Sequence, residues 1–196
     1  MPVPVFYSND EYSIAIQVAE GDSGIPKAFN SLLNLEFEQL AGVAVLCDAD
    51  QKAAQQTFDN LLVKLKEEVD EDYHALFKNA VFGELTNETP SFGVYVFPDN
   101  VNTGTLENLL LEGGEIAYPD LIANAQIYVE SIPETYRRRN WTISSSQKVL
   151  FGVMANALRP GKANQVSIQD NKWISDLTVT SISQNKLRDF ITDLLK

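Results

Sequence analysis

The stretch Gly42-Val43-Ala44-Val45-Leu46-Cys47-Asp48-Ala49-Asp50 decides the fold. Gly42 to Cys47 is a short, continuous apolar run, the pattern of a strand covered on both faces. It stops at two carboxylates spaced i, i+2. A buried strand that ends on acidic residues fits an α/β sheet, because the ligands of open α/β sheets gather beyond the carboxyl ends of the strands.

Upstream, Tyr12 to Ala19 (YSIAIQVA) alternates Ile14, Ile16 and Val18 with smaller or polar residues, which predicts another strand. Glu20-Gly21-Asp22-Ser23-Gly24 is a turn. Pro26 suits a first helical position, and Ile25, Phe29, Leu32 and Leu33 share a helical face. Downstream, a long helix is expected from about Gln51, with Phe58, Leu61, Leu62, Leu65 and Val69 as its apolar stripe. The acidic run Glu67 to Asp72 closes it. Phe92 to Phe97 (FGVYVF) is a further apolar strand, stopped by Pro98-Asp99-Asn100. Helices are expected from about Thr105, over Pro119–Ser131, Ser145–Leu158 and Gln184–Leu195. Strands alternating with amphipathic helices predict a mostly parallel sheet flanked by helices, then a helical C-terminal portion. At 196 residues, one compact domain is the default, with a core over about 12–131 and an extension over about 132–196.

Composition narrows the classes of function. Fifteen Lys+Arg against 27 Asp+Glu leave a net charge of −12. Such a chain lacks the general attraction for phosphate that supplies most non-specific nucleic-acid affinity. Contact with DNA or RNA would have to run through bridging metal ions or a local basic patch. No run nears the roughly 18 apolar residues of a membrane span, and Met1-Pro2-Val3-Pro4-Val5 has no signal-peptide character. Cys47 is the only cysteine, so neither an internal disulfide nor a thiolate metal cluster is possible. The expected location is the cytoplasm.

Asp48 and Asp50 follow the first apolar strand, Asp99 follows the second, and Glu107 falls in the first turn of the next helix. Hard divalent ions such as magnesium or manganese take oxygen ligands of this kind, usually keeping several waters and a substrate phosphate. Structural roles fit the same spacing: Asp50 as a helix cap, Asp48 solvated at a loop, and Glu107 favoured by the helix dipole. Other candidates carry less. His74, the only histidine, lies in an acidic stretch without a nucleophile motif. Cys47 reads as a small buried hydrophobe. Arg137-Arg138-Arg139 is the one basic run; Arg138 and, later in the chain, Lys148 are the candidates for steadying a phosphate. Neither the Walker nor the dinucleotide glycine pattern is present.

These residues resemble a known family. Val43 to Asp50 resembles the Asp-x-Asp strand of Toprim domains. Phe97-Pro98-Asp99-Asn100 followed by Gly104-Thr105-Leu106-Glu107 is similar to the pattern of one Toprim-like group, Domain of Unknown Function 3226, related to the Toprim half of OLD-type nucleases. Lys148, Arg159-Pro160-Gly161, Trp173 and the closing amphipathic helix extend the resemblance from about Tyr12 to the C-terminus. It implies a Toprim-like fold and a divalent-metal-dependent nuclease or related phosphotransferase, with Asp48 and Asp50 holding the ion.

Toprim domains add a glutamate after their first strand, and Glu20-Gly21-Asp22 looks like that turn. Glu20 and Asp48 are only 48 − 20 = 28 positions apart, however, room for one helix where the family places helix, strand and helix. The alignment that keeps the element order makes Tyr12–Ala19 the second strand, leaving Val3–Tyr7 as a strand remnant. The glutamate motif is then missing or displaced. The expectation is a degenerate magnesium or manganese site of Asp48, Asp50, Glu107 and Asp99, with Glu20 a lesser candidate. The alternative is a non-catalytic module that works through a protein partner in a nuclease or defence-type system.

Overall fold

The computed structural model describes residues 4–33, 40–137 and 141–196. Within them the chain is mixed α/β, with a small parallel sheet flanked by helices. It gathers into two compact units, one of residues 1–47, 55–95 and 190–196, the other of 48–54 and 96–189.

The first unit begins with β1 (Val5–Ser8) and β2 (Ser13–Ile16), followed by α1 (Ile25–Leu33). β1 and β2 form an antiparallel hairpin, separate from the other strands, in which Val5 faces Ile16 and Tyr7 faces Ile14. Of the expected strand Tyr12–Ala19 only Ser13–Ile16 forms one, and it is not a strand of the parallel sheet. Alternation reports the pleat and not the partner. β1, Val5–Ser8, supplies that partner.

β3 (Gly42–Asp48) and β4 (Ser91–Phe97) pair with each other. The Ser91 N–H donates to the Ala41 carbonyl where both strands begin, and the Ala49 N–H to the Phe97 carbonyl where both end. The strands thus run in the same direction, as their continuous apolar sequences imply. Between them lie α2 (Ala54–Glu68) and the single turn α3 (His74–Phe77). The helix expected from Gln51 starts at Ala54, after a turn through Gln51 and Lys52. Four of the five residues of its expected stripe, Phe58, Leu61, Leu65 and Val69, are buried, and Leu62 is half-buried. Phe29, Phe77 and Phe92 meet ring to ring at 6.0 Å and fill the centre of this unit. The side chains of Leu32 and Leu33 lie outside the described part.

The second unit is helical: α4 (Leu106–Ala117), α5 (Pro119–Ser131), α6 (Ile143–Leu158), α7 (Asn164–Asp170) and most of α8 (Ile182–Leu194). Pro119 opens α5 from its first turn, and the Thr142 hydroxyl caps α6 by accepting the Ser145 N–H. α4, α5 and α6 pack on one another. Trp173 is fully buried beside Phe151 and Tyr118, and its indole N–H donates to Ser167 Oγ at 3.1 Å. Gly114 on α4 makes room for that ring, since a Cβ there would sit 3.0 Å from Trp173 Cζ3. This packing holds α4, the helix that carries Glu107, in place. Four of the five helices fall where hydrophobic spacing predicts them; α7 is too short for its period to register. No helix among the described residues is long and apolar enough to cross a membrane.

Candidate acidic site at the strand ends

Because β3 and β4 are parallel neighbours, the loops that leave them share one edge. Both loops belong to the second unit. Two backbone devices shape them. Asp50 turns the chain at φ 53°, a left-handed conformation that aspartate tolerates better than most residues, and its N–H donates to the Gly104 carbonyl at 2.8 Å. Gly104 itself sits at φ 146° with Asn108 Oδ1 2.9 Å from where a Cβ would stand, so only glycine fits without a shift.

Asp48 is half-buried, and its Oδ1 accepts the N–H of Leu106, the first residue of α4, at 2.8 Å. The other oxygen has no hydrogen bond within the described residues. Burial pushes its carboxyl above the ordinary aspartate value, and the charges of Glu107 and Asp50 push the same way. The Leu106 N–H and the Lys148 ammonium pull against them. Asp48, Asp50, Glu107 and Lys148 therefore form one electrostatic group, drawn from the β3 loop, α4 and α6. Asp50 and Lys148 are exposed and Glu107 is half-buried. Asp48, rather than Asp50, caps a helix, and the helix is α4, not α2.

Asp99 is a different kind of carboxylate. It is 5% exposed, its Oδ1 accepts from the N–H groups of Val101 (3.1 Å) and Asn102 (2.8 Å), and its Oδ2 accepts from Asn102 Nδ2 at 2.8 Å. Lys186 lies 3.7 Å from Oδ2. Burial raises the acid's pKa, but those hydrogen bonds and the lysine outweigh it and hold the group below its usual range. Next to it, Asn100 at φ 60° accepts the Val96 N–H on its side chain. The conspicuous Pro98-Asp99-Asn100 sequence thus builds the loop that presents α4.

Of the remaining candidates, Arg138 lies outside the described residues. Glu20, at φ 52°, belongs to the first unit. Arg137 is described: its Nη2 donates to the carbonyls of Val129 (2.8 Å) and Glu130 (2.7 Å), closing the end of α5, and it lies over the Trp141 ring. It lines a cleft of about 650 Å³ in the second unit, with Asp99, Glu112, Glu115, Gln126 and Gln147 among the polar walls. Glu112 and Gln126 had no motif to mark them; each is one of several polar residues on an amphipathic helix, a signal too common to single out.

The donor set at Asp48 consists of oxygens, which suits magnesium or manganese and not a soft metal. No group of three or more acidic, histidine or cysteine side chains among the described residues converges into a ready cage. The residues fit a hydrated ion held by one or two carboxylates and completed by a phosphate, the usual mode for magnesium.

The family model described as "Protein of unknown function (DUF3226)" matches residues 3–195. No curated protein and no solved structure matches the chain.

Proposed function

Starting from a chain that belongs to the DUF3226 family, we propose that the acidic group at the end of β3 is a Toprim-like, weakly binding magnesium or manganese site for phosphoryl transfer of the nuclease type. One observation carries it: Asp48 is half-buried with one oxygen on the Leu106 N–H, where burial, Glu107 and Asp50 all disfavour its charge. Concentrated negative charge of this kind is costly without a cation, and perturbed carboxylates cluster at functional sites. Asp48 and Asp50 are the ligands, and Glu107 completes or orients the set. Bound there, a divalent ion would neutralise charge on a phosphate and polarise it toward attack by water. The chain's own residues supply the rest. The Leu106 N–H fixes the Asp48 rotamer by its hydrogen bond to Oδ1. Lys148 offers the cation of this group that can steady a phosphate oxygen, and Arg138 is a second candidate for that role.

The net charge of −12 makes nucleic acid a substrate reached through the metal and not through the surface as a whole. The same charge favours a second reading, a non-catalytic module that acts through protein contacts. Incubation with single- and double-stranded DNA and RNA in manganese separates them. The proposal expects cleavage that chelation stops and that falls at least about 100-fold in Asp48→Ala, the scale of losing a metal ligand. Cleavage at an equal rate in that variant contradicts it.

A further inference from the structure

We infer that the cleft between α4, α5 and α6 binds a free basic amino acid, with the carboxylate on Arg137 and the cationic groups on Glu112, Glu115 and Glu130. The three helices pack on one another within the second unit, and about 650 Å³ stays open between them. That volume lies in the range of small-molecule sites, about 300–1,000 Å³. Leu111, Ile122, Val129 and Leu150, all buried, form its apolar part. Arg137 supplies the anchor for an anion. A guanidinium has five N–H groups, and Nη2 here donates to the Val129 and Glu130 carbonyls that the end of α5 leaves unpaired. The Nε–H is enclosed without an acceptor, and Nη1 has no hydrogen bond among the described residues. The two carbonyls and the Trp141 ring, 5.5 Å away, hold the group in place. A fixed guanidinium with unspent donors is pre-organised for a carboxylate.

The acidic walls set the rest of the ligand. Asp99 also lines the cleft, but its own loop and Lys186 already satisfy it. Glu112 is held against the start of α8, its two oxygens 3.3 and 3.4 Å from the Ser183 nitrogen, which donates to them. One N–H leaves most of that carboxylate's accepting capacity unused. The carboxylates of Glu115 and Glu130 have neither a hydrogen bond nor an ion pair among the described residues. Against Arg137, these three glutamates leave the cleft with a charge of 1 − 3 = −2. A phosphate or a dicarboxylate is repelled there. The complement is one carboxylate carried together with two cations, which is the charge pattern of free lysine or arginine. The methylene stem of such a side chain suits the apolar part of the cleft while its charged end stays among the glutamates.

Calorimetric titration of the full chain with L-lysine and L-arginine tests this, in the presence of a chelator so that the outcome is independent of any metal at the end of β3. Saturable binding with Kd of about 1 mM or below is expected, within reach of a ligand of about ten non-hydrogen atoms. Cadaverine lacks the carboxylate and Nα-acetyl-lysine lacks the α-ammonium, and each should bind at least about tenfold more weakly, the scale of losing one charge-assisted hydrogen bond. The same loss is expected for L-lysine in Glu112→Gln, which keeps an oxygen for the Ser183 N–H. Glu130→Gln, on the exposed side of α5, repeats the test should that variant misfold. Absence of saturable binding by both amino acids overturns the inference. So does cadaverine that binds as tightly as lysine, and so does an unchanged affinity in the folded variants.

Discussion

Two aspartates end two neighbouring parallel strands, and they have opposite characters. Asp99, after β4, is buried with both oxygens occupied, and its charge is stabilised. Asp48, after β3, is half-buried with one oxygen bonded to a helix start, and its charge is disfavoured. The difference separates a carboxylate that builds a loop from one left with capacity for a ligand. A satisfied acid stabilises the fold; an acid held against its preference costs stability, and perturbed groups of that kind cluster at functional sites.

The largest expected effect comes from removing the satisfied acid. Asp99→Ala leaves the amides of Val101 and Asn102 without their acceptor, a loss of about 2–4 kcal/mol, or roughly 5–12 °C in melting temperature for a chain of this length. A change of under about 1 °C would erase the comparison. The pH dependence follows from the direction of the shift. Because the folded pKa of Asp99 lies below its unfolded value, its stabilisation is fully present above that unfolded value of about 3.9 and is lost as pH falls through the folded one. Melting temperatures of wild type and Asp99→Asn should therefore converge as pH drops below about 4; a gap independent of pH would count against the assignment.

Asp48 has the reverse sign. Its folded pKa is raised, so its contribution is fully present below the unfolded value and is lost as pH rises through the folded one. At neutral pH, Asp48→Asn removes the disfavoured charge while an amide oxygen can still accept the Leu106 N–H. A gain of about 1–3 °C is expected, fading toward pH 3 to 4. A loss of stability at pH 7 would show that Asp48 belongs with Asp99.

Much of this was legible in the sequence. The continuous apolar runs at Gly42–Cys47 and Phe92–Phe97 identify β3 and β4, although only β4 is buried on both faces; β3 buries Val43, Val45 and Cys47 and leaves Leu46 exposed. The long helices announce themselves through spacing. Tyr12–Ala19 was readable as a strand but not as half of a hairpin, since alternation says nothing about which strand lies alongside. At the site, residue type and spacing put Asp48, Asp50, Asp99 and Glu107 at the strand ends equally. Their division into a loop-building acid and a charge-bearing group depends on where the Val101, Asn102 and Leu106 amides point, and backbone directions within a loop leave no trace in residue type.

Divalent-ion stabilisation tests the central claim most directly. In about 10 mM magnesium or manganese, a site with millimolar affinity raises the melting temperature by roughly 2–5 °C. The acidic group at the end of β3 predicts that rise in the wild-type chain and in Asp99→Asn, and its loss in Asp50→Asn. No rise in the wild type, or the same rise in Asp50→Asn, would contradict it.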